Sequence, residues 1–343
     1  MRTTPLTAKG ASTPAVRRLP TRSAMTTAAR WWPIVGALIF ASTLSSLPGE
    51  LFKDRDNYTA YLEFAPANLL VWLDRDLVSI LTNEPIFLLM NAAMATLFSV
   101  EQALKLLIFV PAVIVAYHVL RASPRNAVYL LAVLLAPALL QKHIVHLRQG
   151  LAISIFIVGW FTVSPRLRWS LIALTPFVHA SFFFVLGLMA AGWALRKLRL
   201  PPWVCVCVFA MLGITIGLSL EDLARATGAR QSEEYEFAVA QGISGAGFLF
   251  WCAMLGLFLI QSRRFLREHA LEVGSVAFYL STYFLSPVTA RVFESTMLIV
   301  LLSVLKMTGS GRLAFMTAIV LFVLLQWLMM FVGLASTFTV TDL

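Results

Sequence analysis

The sequence predicts an all-α protein that crosses a membrane many times, on three observations. Hydrophobic residues make up 59% of the 343 and charged residues only 13%, with a mean hydropathy of +0.82; soluble domains run nearer 45–50% apolar and about 25% charged. Apolar stretches recur from Trp31 to the C-terminus, most of them roughly 15–20 residues long and so close to what a helix needs to span about 30 Å of hydrocarbon. The short alternating segments of a membrane barrel are absent.

The charge follows the same logic. The net charge is +10, and Arg2, Lys9, Arg17, Arg18, Arg22 and Arg30 precede the first apolar run with no acid among them. That basic tail, residues 1–30, reads as the cytoplasmic flank of a first span; a cleavable signal peptide is the rival reading. No aromatic-interleaved basic patch of the kind that binds nucleic acid is present. Cys205, Cys207 and Cys252 lie inside apolar runs without metal or redox spacing and read as small buried hydrophobes.

Residues 31–343 read as a single membrane domain. A first span, Trp31 to Pro48, leads out to a polar segment, 49–102, carrying Asp54, Asp56, Glu63, Asp74 and Asp76. Within it Pro66 to Thr82 reads as one helix along the membrane surface, and Pro85 to Val100 as a dipping or surface helix. Ala103 to Leu120 returns to Arg121 and Arg125. Ala127 to Leu140 goes out and delivers Lys142, His143, His146 and Arg148 to the outer boundary. Gly150 to Val163 returns to Arg166 and Arg168.

Residues 170–195 are basic at both ends, at Arg166 and Arg168 and again at Arg196, Lys197 and Arg199. Two half-length helices meeting near Pro176 to Ser181 would place both ends inside and His179 at the tip, a break of the kind that lines cavities. One tilted span is the alternative. With the hairpin the remainder alternates: Pro202 to Leu220 outward, an outer loop at 221–241, and Gly242 to Ile260 inward to Arg263, Arg264 and Arg267. Val273 to Leu285 then goes outward, Ser286 to Arg291 turns, Val292 to Leu305 comes inward, and Leu313 to Gly333 ends outside. The sum is about nine transmembrane helices plus the broken hairpin and outer surface helices, an architecture of GT-C type. Most of the 27 Lys and Arg then lie inside, and of the 17 acids only Glu268 and Glu272 do.

A charge at membrane depth costs at least about 2.5–3.5 kcal/mol, so one that persists there binds something or faces water. This threading gathers Arg148, His146, His143, His179 and Arg291 at the outer side. Such cations suit an anionic ligand, foremost a phosphate or diphosphate, which the planar guanidinium fork can pair. Bland readings stand beside these. Arg148 reads equally as a snorkelling interfacial anchor, His179 as the partner of a helix-end carbonyl, and Asp54 and Asp56 as solvated loop charges. His143 and His146, three apart, imitate metal ligands but have no third ligand near in sequence.

Five motifs in order carry a resemblance: Asp56-Asn57-Tyr58 with Tyr61 and Glu63; Glu84-Pro85-Ile86-Phe87; Arg148-Gln149-Gly150-Leu151-Ala152; His179-Ala180-Ser181; and Ala290-Arg291-Val292-Phe293. The chain resembles the EpsG-like, Wzy-type polysaccharide polymerases of bacterial envelopes over most of its length after residue 30. The resemblance implies a metal-independent glycosyltransferase, without cofactor, in the bacterial inner membrane with its active site facing the periplasm. It would transfer a growing glycan from undecaprenyl diphosphate onto the next lipid-linked repeat unit, alongside a flippase and a chain-length regulator. Arg148 and Arg291 would hold diphosphate. His179 would be the general base, suited by an ordinary pKa near 6.5, with Asp56 as the competing base. Gln149, His146, His143, Tyr58, Tyr61, Glu63 and Tyr235 would line the substrate. A transporter or flippase of lipid-linked glycans would use the same cations without bond chemistry, and an O-antigen ligase or other lipid-phosphate-dependent glycosyltransferase would differ in acceptor.

Overall fold

The computed structural model describes residues 27–48, 52, 54–74, 77–226, 245–285 and 287–333. Among them there are helices and no β-strand. In order they are α1 (Thr27–Ser46), α2 (Arg55–Glu63), α3 (Ala65–Leu73), α4 (Leu77–Thr82), α5 (Pro85–Leu97), α6 (Val100–Ala122), α7 (Ala127–Leu135), α8 (Pro137–Ile144) and α9 (Leu147–Phe161). They continue as α10 (Pro165–Leu174), α11 (Ser181–Lys197), α12 (Pro202–Ala226), α13 (Gly245–Leu259), α14 (Arg263–Glu268), α15 (Ala270–Thr282), α16 (Pro287–Ser303) and α17 (Gly309–Phe331).

Local chemistry sets many of these starts. Pro85, Pro137, Pro165, Pro202 and Pro287 each stand at the first helical position, where the missing N–H costs nothing and the fixed φ favours a helix. Helix α6 begins on a capping box: the Ser99 hydroxyl accepts from the Gln102 N–H at 3.3 Å, and the Gln102 side chain accepts from the Ser99 N–H at 3.1 Å.

The membrane character is plain. Val100–Ala122, Pro202–Ser219 and Gly309–Phe331 are long and apolar enough to cross a bilayer, and the bent pair Pro124–Leu135 and Pro137–Ile144 makes a fourth candidate. Trp31–Ser46, Pro85–Leu97, Leu147–Phe161 and Gly245–Leu259 are shorter apolar helices. Leu97, Leu218, Leu249 and Phe331 are exposed on the outside, as lipid-facing side chains are. Helix α6 packs against α1 and α9, and α12 against α15. Small residues permit these approaches: a Cβ at Gly36 would lie 2.8 Å from Leu120, and one at Gly274 would run into the Phe209 ring.

Several expectations are corrected. Ala127 to Leu140 is not one continuous helix. It breaks at Ala136, and the flanking segments meet at 60°. Pro137 is the cause, because it has no N–H to donate and its ring clashes with the preceding turn. The Leu135 carbonyl beside the break accepts from the Trp327 indole N–H at 2.9 Å. The surface segment Pro66 to Thr82 is two helices, α3 and α4, and the turn assigned to Ser286 to Arg291 is already helical from Pro287. Helix α12 carries on to Ala226, into the stretch read as the 221–241 loop, whose remainder lies outside the described residues. The helix does break between Leu174 and Ser181, through a 3-10 turn at Thr175–Phe177. Helix α10 then packs on α9, and α11 on α15 and α16.

Candidate functional site

The site is built around Glu84, which precedes Pro85 and caps α5. Its Oε2 accepts from the Arg148 guanidinium at 2.6 Å, and its Oε1 lies 2.6 Å from His179 Nδ1 and accepts from the Ala180 N–H at 3.3 Å. The carboxylate is buried, with the residue 5% exposed. Burial pushes its pKa up, but the charge of Arg148 and then that of His179, with their hydrogen bonds, outweigh burial and hold the carboxyl at about 2.

The backbone is arranged for this. Among the described residues three non-glycines have positive φ, and two of them are Asp54 (φ 64) and Glu84 (φ 58). Left-handed backbone is costly outside glycine, by about 1–3 kcal/mol, and persists where the surroundings over-determine it. Both residues cap helices, α2 and α5, yet neither carboxylate bonds its own helix, although that is the ordinary work of an acidic cap. Glu84 turns to Arg148 and His179. Asp54 turns to His146, with Oδ2 at 3.4 Å from Nδ1. The Asp54 carboxyl is held below its usual range by the His146 hydrogen bond, and further by the charges of His146, Arg148 and Arg291, against burial.

Three packing features bring these groups together. Tyr58 and Tyr61 of α2 both set their rings edge-on to Phe87 of α5, with centroids 6.2 Å apart. The Tyr58 hydroxyl accepts from the Arg148 N–H at 3.5 Å, and the Arg148 guanidinium lies over the Tyr61 ring at 5.6 Å. The 3-10 turn before His179 packs on α4 and α5, which carries the imidazole to Glu84. Gly150 lets α9 fold closely back on α8, since a Cβ there would run into the Lys142 carbonyl.

Helix α16 closes the other side. The Gln149 amide, itself buried, donates to the Arg291 carbonyl at 2.8 Å and to the Ser295 hydroxyl at 2.9 Å. Ser295 also meets the Ser181 hydroxyl at 2.9 Å. Lys142, fully buried, donates to Glu294 at 2.5 Å. Arg291 lies within electrostatic reach of Asp54, Lys142, His146 and His179.

Of the residues expected at the site, the structure brings together Arg148, His179, Gln149, His146, Arg291, Tyr58 and Tyr61. Asp56 and Glu63 are exposed on α2, and no hydrogen bond or ion pair among the described residues draws either in. Asp54, also exposed, is the acid that meets His146, while the buried face of α2 carries Tyr58 and Leu62. His143 is buried in α8 with Nδ1 unpartnered among the described residues, and no hydrogen bond or ion pair among them joins it to the cluster. Tyr235 lies outside the described residues. Arg148 does not hang free at a boundary, since Glu84 and Tyr58 hold it.

Sequence reasoning quoted Glu84 and Ser181 in motifs without giving either a role, and passed over Glu294 and Ser295. A signal for Glu294 was present: an acid three residues beyond Arg291, inside an apolar run, needs a cation, and Lys142 is one.

The chemistry is that of a buried carboxylate that orients an imidazole and a guanidinium at once. His179 Nε2 is buried with no hydrogen-bond partner among the described residues, opposite the nitrogen that Glu84 engages. A ring held that way presents one nitrogen for proton transfer. The whole cluster sits within a multi-helix, lipid-facing protein, which defines an integral membrane protein with a polar site built between its helices. The sequence pattern of the EpsG family matches residues 31–340. The chain therefore belongs to the EpsG family, a family of Wzy-like polysaccharide polymerases. No curated protein and no solved structure matches the chain.

Proposed function

We propose that this protein polymerises oligosaccharide repeat units carried on undecaprenyl diphosphate, at the outer face of the bacterial inner membrane. The observation that carries the proposal is the Arg148–Glu84–His179 triad, with Nε2 of His179 buried and unpartnered among the described residues. In the proposed step His179 Nε2 takes the proton of the acceptor sugar hydroxyl. The acceptor oxygen forms a bond to the anomeric carbon of the growing chain. The bond from that carbon to the diphosphate oxygen breaks, and the electron pair leaves on the diphosphate. Arg148 and Arg291 stabilise the charge that develops there, in a water-poor site where fixed charges act strongly. The guanidinium of Arg148 has five N–H donors, so its bond to Glu84 still leaves donors for phosphate oxygens. Glu84 keeps the imidazole turned and balances the arginine.

The same reading places the N-terminus in the cytoplasm and the triad toward the periplasm, with about nine crossings, the shorter apolar helices being tilted or paired. Positive charge from the arginines serves the diphosphate, so no metal or other cofactor is invoked, and polymer formation in washed vesicles should survive a chelator.

The test is genetic and chemical. His179→Ala, Arg148→Ala and Arg291→Ala should each abolish polymer and leave single repeat units on lipid at the outer face. Accumulation of those units on the cytoplasmic side in Arg148→Ala would instead establish a transporter. Normal polymer in all three would remove the site assignment.

A further inference from the structure

Behind the triad, on the other flank of α16, lies a cavity of about 200 Å3 between α13, α15, α16, α17 and the α7–α8 break. Its wall includes Trp251, Tyr279, Tyr283, Phe293, Glu294 and Gln326. We infer that this cavity is a sugar subsite, which takes one pyranose ring of the lipid-linked glycan; the identity of that glycan rests on the polymerase reading above.

Size is the first argument. A cavity of about 150 Å3 admits benzene, so this one admits a six-membered ring with its hydroxyl groups. The chemistry of the wall is the second. Cavities that stay empty are apolar, whereas the wall of this one carries a carboxylate, a primary amide and two phenols. An acid inside an apolar helix of a membrane protein marks function. Lys142 fixes Glu294 Oε2 at 2.5 Å, and a carboxylate has about four acceptor positions, so acceptor capacity for hydroxyl groups remains. Glu294 also acts electrostatically on Tyr279, whose ring stacks on Phe293 at 4.3 Å and 8°, while Trp251 meets Phe293 edge-on at 4.7 Å. Rigid aromatic walls with a few placed polar groups describe a site for a ring that is apolar on its faces and polar at its rim.

Position is the third argument. Glu294 lies three residues after Arg291, a rise of roughly 4.5 Å along a helix, and Ser295 on the next position bonds Gln149. A sugar at Glu294 would thus lie within one helical turn of a diphosphate at Arg291. An isoprenoid tail would need no carboxylate and no amide, and the wall offers both.

The full chain in detergent micelles, probed by saturation-transfer NMR with a panel of methyl pyranosides at millimolar concentration, tests the inference. At least one glycoside should receive saturation, and farnesyl phosphate in excess should not remove the signal. Gln326→Leu removes the amide and should weaken binding about fivefold, as the loss of one hydrogen bond does, and Gly247→Ala, which places a Cβ 2.6 Å from the Tyr283 hydroxyl, should weaken it by crowding the wall. No signal from any glycoside, signals in the two variants as strong as in the native chain, or displacement by farnesyl phosphate would each overturn the subsite. Arg148→Ala should lose polymer and keep the glycoside signal. If it keeps both, the role given to Arg148 in polymerisation fails while the sugar subsite stands.

Discussion

Two buried histidine–glutamate pairs stand among the described residues, and they are built in opposite ways. His269 and Glu272 are three residues apart at the start of α15, with Nδ1 to Oε1 at 3.2 Å, and the His269 ring rests on Phe265 at 4.5 Å. His179 and Glu84 are 95 residues apart and meet at 2.6 Å. The first pair closes one helical turn, and helix geometry alone makes it, because residues three apart share a face. The second forms only after α5 and the turn before α11 have docked. It also engages Arg148 and leaves Nε2 buried without a partner among the described residues. The lesson is that burial and a carboxylate can come from one helical turn. Joining an imidazole and a guanidinium to one carboxylate took three separate segments of the chain.

Mutation of the two histidines sharpens this contrast most. His179→Ala should lower polymer formation by about 10²–10⁴, the range of a lost acid–base group, measured as polymer per cell at equal protein level. His269→Ala should leave it within about threefold at equal protein level, since its pair with Glu272 closes within one turn at the start of α15. Equal losses would erase the distinction. Glu84→Ala comes next. It leaves Arg148 buried without its carboxylate and should cost about 3–5 kcal/mol, as breaking one partner of a buried pair does, read from thermal unfolding in detergent.

The pH response isolates Glu84 further. Its folded pKa of about 2 lies below the ordinary 4.5, so the folded state binds fewer protons than the unfolded state between those values. Its stabilisation is therefore complete above about pH 5, amounts to about 3 kcal/mol, and is lost as pH falls from 4.5 to 2. Acid unfolding of the native chain should lose this contribution, and Glu84→Gln should unfold with a shallower dependence in that window. An identical pH dependence in the two would show that Glu84 is not so held.

The smallest effect concerns the helix break that places Lys142 and Arg148. Trp327→Phe removes the bond to the Leu135 carbonyl and should cost about 0.5–1.5 kcal/mol of stability with little change in polymer.

Much of the site was legible in the residues themselves. Arg148, His179 and Arg291 stood out because charge and imidazole in apolar surroundings are expensive, and the helix interruption around Pro176 to Ser181 was written in its proline and its flanking charges. A motif contained Asp56, whereas the acid paired across the site is Asp54, with His146. Which of two acids, two positions apart, finds such a partner depends on the docking of α2 through Tyr58 and Leu62. Glu84 looked like the end of a solvated acidic segment; nothing in the local pattern says that its backbone would turn left-handed and aim inward. Pro137 was a readable signal that was passed over, since a proline inside a long apolar run is the commonest cause of a sharp bend.

The sequence by itself determined that this chain is a bundle of helices in lipid, because 59% hydrophobic residues in long runs have no other way to satisfy their backbones. It also determined which cations would be costly there. Tertiary structure alone decided how those cations are paid for: Glu84 for Arg148 and His179, Glu294 for Lys142. Such partners come from helices far apart in the chain, and electrostatic pairing acts through distance in space, on which spacing in sequence is silent.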